Sequence, residues 1–380
     1  MKQFRIFWLA GENSGDLHAA VVMRKLNQSV PYIQHYGIGG KRMQAEGLEP
    51  LFPYERFSLM GFAEVIKHLG FFYKVESRLK RSFSEDKPDL AILVDYPGLN
   101  LRVAKFADDA RVPVLYFICP QFWAWKHKRV YKLKYNTRHV ACILPFEKEL
   151  LDIHNVTGSF VGHPIAEEIK LELDRDAFAA FYGLDARKRW VGFLPGSRML
   201  EIERMLPVFL EASQGLDDGS LEFLFSKSQS IDHRRFMQII HQSGAAKAHI
   251  IDGYNYELMK YSDFIVSTSG TATLETAYLG TPLLIAYKTS PISYRIARRL
   301  VRIKRVGLPN IVLEKDAVPE LLQDAVTPAN ISRIVREYLT DRELYNAMKQ
   351  DLAEIKSLLG GLSASAEMVR LIRLMLKIDE

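Results

Sequence analysis

The sequence predicts an α/β protein built from two doubly wound, Rossmann-like halves that face each other across a cleft. Three observations predict it. Short apolar runs alternate with helical patterns along the chain. Continuous runs such as Leu90-Ala91-Ile92-Leu93-Val94 fit strands covered on both faces, as in a parallel sheet. A strand, a glycine turn and a helix start occur together twice, at 4–16 and at 189–198, each opening one half. Such a unit offers backbone N–H groups and a partial positive charge to whatever lies above it.

The elements follow in order. Runs at 4–10, 34–38, 90–94, 113–118, 139–144 and 158–162 read as strands, with helical patterns at 17–27, 62–81, 99–109, 129–136 and 145–154. Residues 164–188 are charged and helical and look like a connection. The second half repeats the alternation, with strands near 190–194, 222–226, 248–252, 263–267, 282–286 and 310–313. The tail is helical at 328–339, 342–359 and 363–377, broken at Gly360-Gly361. The expected domains are 1–165, joined by a C-terminal helix at 362–380, and 166–361.

A length of 380 residues suits two domains. With 48% hydrophobic and 25% charged residues, the composition is that of a soluble globular protein. No run approaches the roughly 20 apolar residues of a membrane span, and the start does not read as a signal peptide. Cys119 and Cys142 lie in apolar runs and read as buried thiols in a reducing cytosol, without histidines at metal-site spacing. The net charge of +6 is local: residues 121–138 carry six Lys/Arg and no acid, and 287–305 carry seven and no acid. The rest of the chain is therefore net −7, the total of +6 less these 13. Such segments attract phosphates or an anionic surface.

The first loop, Gly11-Glu12-Asn13-Ser14-Gly15-Asp16, lacks the G-x-G-x-x-G turn of a dinucleotide site. Glu12 and Asp16 would set carboxylates beside a pyrophosphate, and no acid ends the second strand, so a nicotinamide dehydrogenase is disfavoured. Either the loop binds substrate, or it is a helix start capped by Ser14 or Asn13. In the second half, Arg198 follows the turn Pro195-Gly196-Ser197 and can grip a phosphate in bidentate fashion. Ser269-Gly270-Thr271 opens another helix after a strand, and Glu275 one turn later could take the hydroxyls of a ribose; the plain alternative is an N-cap with an exposed glutamate. Asp95 ends the strand 89–94 before Tyr96-Pro97-Gly98, where open α/β sheets bind ligands and a carboxylate can act as a general base; it could equally cap its own turn. His163, at the end of the first half, reads as structural.

Together these segments resemble the lipid-A-disaccharide synthase family, inverting glycosyltransferases of the GT-B type. The matching stretches are Ala10–Asp16, Lys41–Gly47, Met60-Gly61-Phe62-Ala63-Glu64-Val65, Val94–Pro97, Pro120–Val130, Leu144–Lys148, Leu194–Arg198, Ser269–Glu275 and Leu308-Pro309-Asn310. The most specific is Trp123-Ala124-Trp125 with its basic tail. The turn departs from the family at Gly98, where a second acid is frequent, and Asn13 stands where threonine is common.

The resemblance implies UDP-2,3-diacylglucosamine as donor, 2,3-diacylglucosamine 1-phosphate as acceptor, and a β-1,6-linked disaccharide 1-phosphate and UDP as products. It implies no metal or other cofactor, an acceptor-side first domain and a UDP-side second one, and work at the cytoplasmic face of the inner membrane. Asp95 and Arg198 are the expected catalytic residues. Gly11, Asn13, Ser14, Gly15, Met60, Gly196, Ser197, Ser269, Gly270, Thr271, Glu275 and Asn310 are the expected substrate contacts.

An amphipathic, cationic pattern over 291–305, with Arg295, Arg298, Arg299 and Arg302 on one side, suits anionic lipid headgroups. The stretch 62–81, with Phe71 and Phe72, is a second candidate for lipid contact, against the reading of an ordinary domain helix. An anionic membrane surface and a second copy of the chain are the expected partners, with no nucleic acid. The rivals are another GT-B enzyme, such as a nucleotide-sugar 2-epimerase or an N-acetylglucosaminyltransferase, and a non-catalytic membrane-surface binding protein.

Overall fold

The structure is a computed structural model that describes residues 3–30, 32–54, 69–124, 126–244, 247–290 and 305–378. The strands are β1 (Phe4–Ala10), β2 (Ile33–Ile38), β3 (Leu48–Pro50), β4 (Leu90–Val94), β5 (Val114–Phe117), β6 (His139–Cys142), β7 (Gly158–Phe160), β8 (Arg189–Leu194), β9 (Leu221–Lys227), β10 (Ala248–Asp252), β11 (Phe264–Ser267), β12 (Leu283–Tyr287) and β13 (Glu320–Leu322). The helices are α1 (Asn13–Ser29), α2 (Lys41–Ala45), α3 (Leu69–Glu85), α4 (Pro97–Asp109), α5 (Arg129–Asn136), α6 (Pro145–Ile153), α7 (Ile165–Glu168), α8 (Arg175–Tyr182), α9 (Met199–Leu216), α10 (His233–Ser243), α11 (Asn255–Tyr261), α12 (Thr271–Tyr278), α13 (Leu308–Leu313), α14 (Pro328–Thr340), α15 (Arg342–Gly360) and α16 (Ala364–Leu376). Among the described residues no helix is long and apolar enough to cross a membrane.

The chain divides into two compact units, Met1–Glu167 with Leu359–Glu380, and Glu168–Leu358. In unit 1 the strand order is β3-β2-β1-β4-β5-β6-β7, all pairs parallel. β4 and the Ile6–Ala10 part of β1 are wholly apolar and buried because both faces are covered. Ile6, Trp8 and Ala10 of β1 join Leu90, Ile92 and Val94 of β4 in one core cluster, while Phe7 and Leu9 join Ala91 and Leu93 in the other. Helix α16 completes the first of these layers with Met368, Leu371, Ile372 and Leu376. Lys25 of α1 anchors it by donating to Ser363 Oγ at 3.1 Å and Ser365 Oγ at 3.0 Å. In unit 2 the order is β10-β9-β8-β11-β12-β13, again parallel, with Phe193, Phe225 and Val266 facing α9 and α14 in the core.

Some expected elements change. The run 310–313 is helical rather than a strand: Pro309 sits in the first turn of α13, where its missing N–H costs nothing, and the last strand of unit 2 is β13. Helix α1 starts at Asn13 and α4 at Pro97, earlier than the apolar periodicity suggests. The described part of the 62–81 pattern, continued to Glu85 as α3, is a domain helix. Val75, Leu79 and Phe83 are fully buried in the core, and Phe71 packs half-buried against Phe52, ring centroids 6.2 Å apart. Phe71 thus packs against the edge of the core. The side chain of Phe72, Met60 and residues 291–304, with Arg295, Arg298, Arg299 and Arg302, lie outside the described residues.

Candidate active site

Open parallel sheets bind ligands beyond the carboxyl ends of their strands, where the strand order reverses. In unit 1 that point lies between β1 and β4, in unit 2 between β8 and β11. The loops at Gly11, Asp95, Gly196 and Ser269 leave these four strands.

In unit 1 the glycine loop is shaped by close approach. A Cβ on Gly11 would stand 2.5 Å from Cδ1 of Tyr96, and one on Gly15 would touch the Ala10 Cβ at 3.4 Å and Val94 Cγ1 at 3.6 Å. Glycine at position 11 lets the Tyr96 turn close onto the end of β1, whereas position 15 has room for a methyl group. The N-cap of α1 is Glu12, without a side-chain cap bond, so neither Ser14 nor Asn13 caps the helix. Both are exposed in the first turn; Asn13 Oδ1 accepts from the Tyr54 hydroxyl at 3.0 Å. Asp16 corrects the sequence reading more firmly. It is buried, and its carboxylate accepts from the backbone N–H groups of Arg42 (3.2 Å) and Met43 (3.1 Å), closing the start of α2. Glu12 is therefore the exposed acid of this loop.

Asp95 and Tyr96 both adopt left-handed backbone, φ 45° and 43°. For residues with a Cβ this conformation is strained and persists only where the surroundings over-determine it. They do here. The Asp95 N–H donates to Phe117 O at 2.9 Å, and its carbonyl accepts from Asn100 Nδ2 and the Tyr116 hydroxyl, both at 2.7 Å. Asn100, fully buried, also donates to Val94 O at 3.1 Å. The Asp95 side chain is half-buried. Burial, then the charge of Glu12, raises its carboxyl to about 6, against the opposing pull of His18, the Tyr96 N–H and Arg129. At neutral pH it is mostly ionised and poised to accept a proton.

Two residues of this site escaped sequence reasoning. Arg129, the first residue of α5, interacts electrostatically with Asp95 and with Tyr116. Its signal was its place in the basic tail of the tryptophan segment. Glu147 is buried in the first turn of α6; its Oε1 accepts from Trp123 Nε1 at 3.1 Å and its Oε2 from the Leu144 N–H at 3.2 Å. Burial raises its carboxyl to about 8. It thereby fixes the tryptophan segment that leads to Arg129. His163 is structural: buried, it accepts from the Ile165 N–H at Nδ1, 3.2 Å, and burial lowers it to about 3. Cys119 and Cys142 are buried thiols raised by burial.

In unit 2, Gly196 has φ 115°, which a side chain would strain, and a Cβ would meet Glu201 Oε2 at 2.6 Å. The same oxygen accepts from the N–H groups of Ser197 (3.2 Å) and Arg198 (3.3 Å). Glu201 thus occupies the backbone donors at the start of this helix, leaving the Arg198 side chain as the group available to a phosphate. The Arg198 side chain itself is 75% exposed, its Nη1 3.6 Å from Glu201 Oε1. Gly270 is the N-cap of α12, and Thr271 opens the helix exposed to solvent. Thr268 joins the two loops by donating its N–H (3.0 Å) and Oγ1 (3.3 Å) to Leu194 O. Ser269 donates to Val306 O at 3.5 Å, and the half-buried Glu275 accepts from the Tyr256 hydroxyl at 3.5 Å. Asn310 does not open onto this edge. It is buried, donates to Val318 O and Glu320 Oε1, both at 2.8 Å, and accepts from the Val318 N–H at 2.9 Å. Glu320 in turn accepts from the N–H groups of Val306 and Gly307, so Asn310 braces the loop that Ser269 touches.

Two parallel α/β units, each with polar loops at its switch point, define a GT-B type protein. The fold is shared with a putative UDP-N-acetylglucosamine 2-epimerase from Listeria monocytogenes, TM-score 0.68 and 11% identity over 98% of this chain and 96% of that one. It is shared as well with CalG4, the calicheamicin glycosyltransferase, TM-score 0.63 and 13% identity over 100% and 99%. Residues 6–370 match the lipid-A-disaccharide synthetase family, and the chain belongs to it. A lipid-A-disaccharide synthase from Trichlorobacter lovleyi is 38% identical over 97% of this chain and 96% of its own length.

Proposed function

We propose that this glycosyltransferase makes the lipid A disaccharide from UDP-2,3-diacylglucosamine and 2,3-diacylglucosamine 1-phosphate, with Asp95 as general base. Family membership carries the reaction class. The observation that carries the residue assignment is the Asp95 turn: a carboxylate at the switch point of unit 1, locked in left-handed backbone and raised to about 6. In the step, the acceptor's 6-hydroxyl oxygen bonds to the donor's anomeric carbon, the bond from that carbon to UDP breaks, and the hydroxyl proton passes to Asp95. Attack opposite the leaving group inverts the centre.

UDP departs with negative charge. Arg198, exposed beside the Gly196 turn, and the α12 start at Ser269-Gly270-Thr271 are suited to receive it by charge and by oriented N–H groups. Glu275 takes the ribose hydroxyls in this reading. Asn310 acts behind the site, as a brace. The lipid substrates set the place of work, an anionic membrane face on the cytoplasmic side.

Release of UDP from acylated donor, with diacylated and non-acylated acceptors in parallel, tests the assignment. UDP is expected only when the acylated acceptor is present. Conversion of non-acylated UDP-N-acetylglucosamine without an acceptor would replace this reading with that of an epimerase.

A further inference from the structure

We infer that the outer face of α5 in unit 1 is a docking surface for anionic lipid headgroups, separate from the 291–305 segment. The inference rests on the reading of this chain as an enzyme of lipid substrates.

Helix α5 has two opposite faces. Val130 and Leu133 are buried and hold it to the core. On the other side, at helical spacing, stand Lys128, Tyr131, Lys132 and Tyr135. Tyr131 is 52% exposed and Tyr135 68%, so two large rings stand in solvent on the face turned away from the core. Ile153, at the end of α6, is 70% exposed, and the next residue, His154, packs its ring 6.4 Å from that of Tyr131. The His154 ring thus ties the end of α6 to the exposed face of α5.

The charge of α5 is one-signed. Residues 121–138 hold Lys126, Lys128, Arg129, Lys132, Lys134 and Arg138 and no acid. On α6, Asp152 is paired with Lys148, and Glu149 is an exposed acid at the rim of the patch. Tyrosine rings with a wet hydroxyl favour the level of lipid headgroups, and lysines beside them meet the anionic leaflet. A nucleic acid would use the lysines and leave Ile153 without a reason. α5 begins at Arg129, which interacts electrostatically with Asp95, so a helix lying on the headgroups holds the proposed base near the plane where a lipid acceptor's sugar sits.

The test is co-sedimentation of the full chain with vesicles of 30% phosphatidylglycerol in phosphatidylcholine, alongside UDP release in detergent micelles. Lys128→Glu with Lys132→Glu should weaken vesicle binding at least about tenfold. Tyr131→Ser with Tyr135→Ser should weaken it several-fold, even at high salt. Both pairs should keep micellar UDP release within about twofold of the parent, since neither touches the Asp95 turn. Vesicle binding unchanged in both pairs would overturn the inference, as would binding lost only on neutralising the arginines at 295, 298, 299 and 302. Loss of UDP release with vesicle binding intact in the parent chain would strike the proposed reaction and leave this surface standing.

Discussion

The ring of Tyr96 fills the space in which Gly11 would carry a side chain: a Cβ there would sit 2.5 Å from Cδ1 and 2.6 Å from Cγ. The glycine loop after β1 and the Asp95 turn after β4 are thus one packed unit. The glycine serves the carboxylate's position as much as any ligand.

Gly11→Ala should therefore fold but push Tyr96 and its strained turn aside. We expect a stability loss of about 1–3 kcal/mol and at least a tenfold fall in turnover. Pairing it with Tyr96→Ala should recover part of the stability, read by urea unfolding. Additive losses in the double variant would deny the coupling.

The acid limb of kcat/KM should lie near pH 6, the value to which burial and Glu12 raise Asp95. Activity is expected to rise as pH increases through it, because the base works ionised. Arg129 stabilises the ionised form, so Arg129→Ala should move the limb to higher pH, and Glu12→Gln to lower pH. A limb that stays put in both variants would detach Asp95 from the pH profile.

Much of this was legible in the chain. The β-rich apolar runs and two glycine turns fixed both sheets, since strands buried on two faces carry no competing pattern. What failed is instructive. Leu308–Leu313 is as apolar as a strand, and only Pro309 and the Asn310 brace make it a helix. Asp16 looked like a ligand-facing acid because a helix cap across 26 residues leaves no local signature. Glu147 and Arg129 lay in family-matching stretches but carried no assigned role, because their roles depend on Trp123 and Asp95, interactions that only the fold creates.

Asn310→Ala should act on stability first. It strips partners from the Val318 N–H and carbonyl inside the unit, at a cost on the order of 2–3 kcal/mol. Loosening of Val306-Gly307 should follow, with weaker UDP binding. A variant as stable as its parent that still binds UDP poorly would make Asn310 a direct contact instead of a brace.

Glu147 makes a prediction about stability and pH. Its carboxyl rises from 4.5 when unfolded to about 8 when buried, so between these values the folded chain holds a proton that the unfolded chain has lost. Its favourable contribution is full below about 4.5 and gone once pH passes about 8. Glu147→Gln abolishes that slope. From pH 5 to 8 the parent should lose more than about 1 kcal/mol relative to the variant in urea unfolding. Parallel curves would show that Glu147 is ionised in place.

The most direct measurement is single-turnover release of UDP from UDP-2,3-diacylglucosamine with 2,3-diacylglucosamine 1-phosphate, comparing the parent chain with Asp95→Ala and Arg198→Ala. Folding would be verified by circular dichroism. The parent should release UDP in step with disaccharide, and each variant should fold and fall at least about 10²-fold. Near-parental turnover in folded Asp95→Ala would contradict the account.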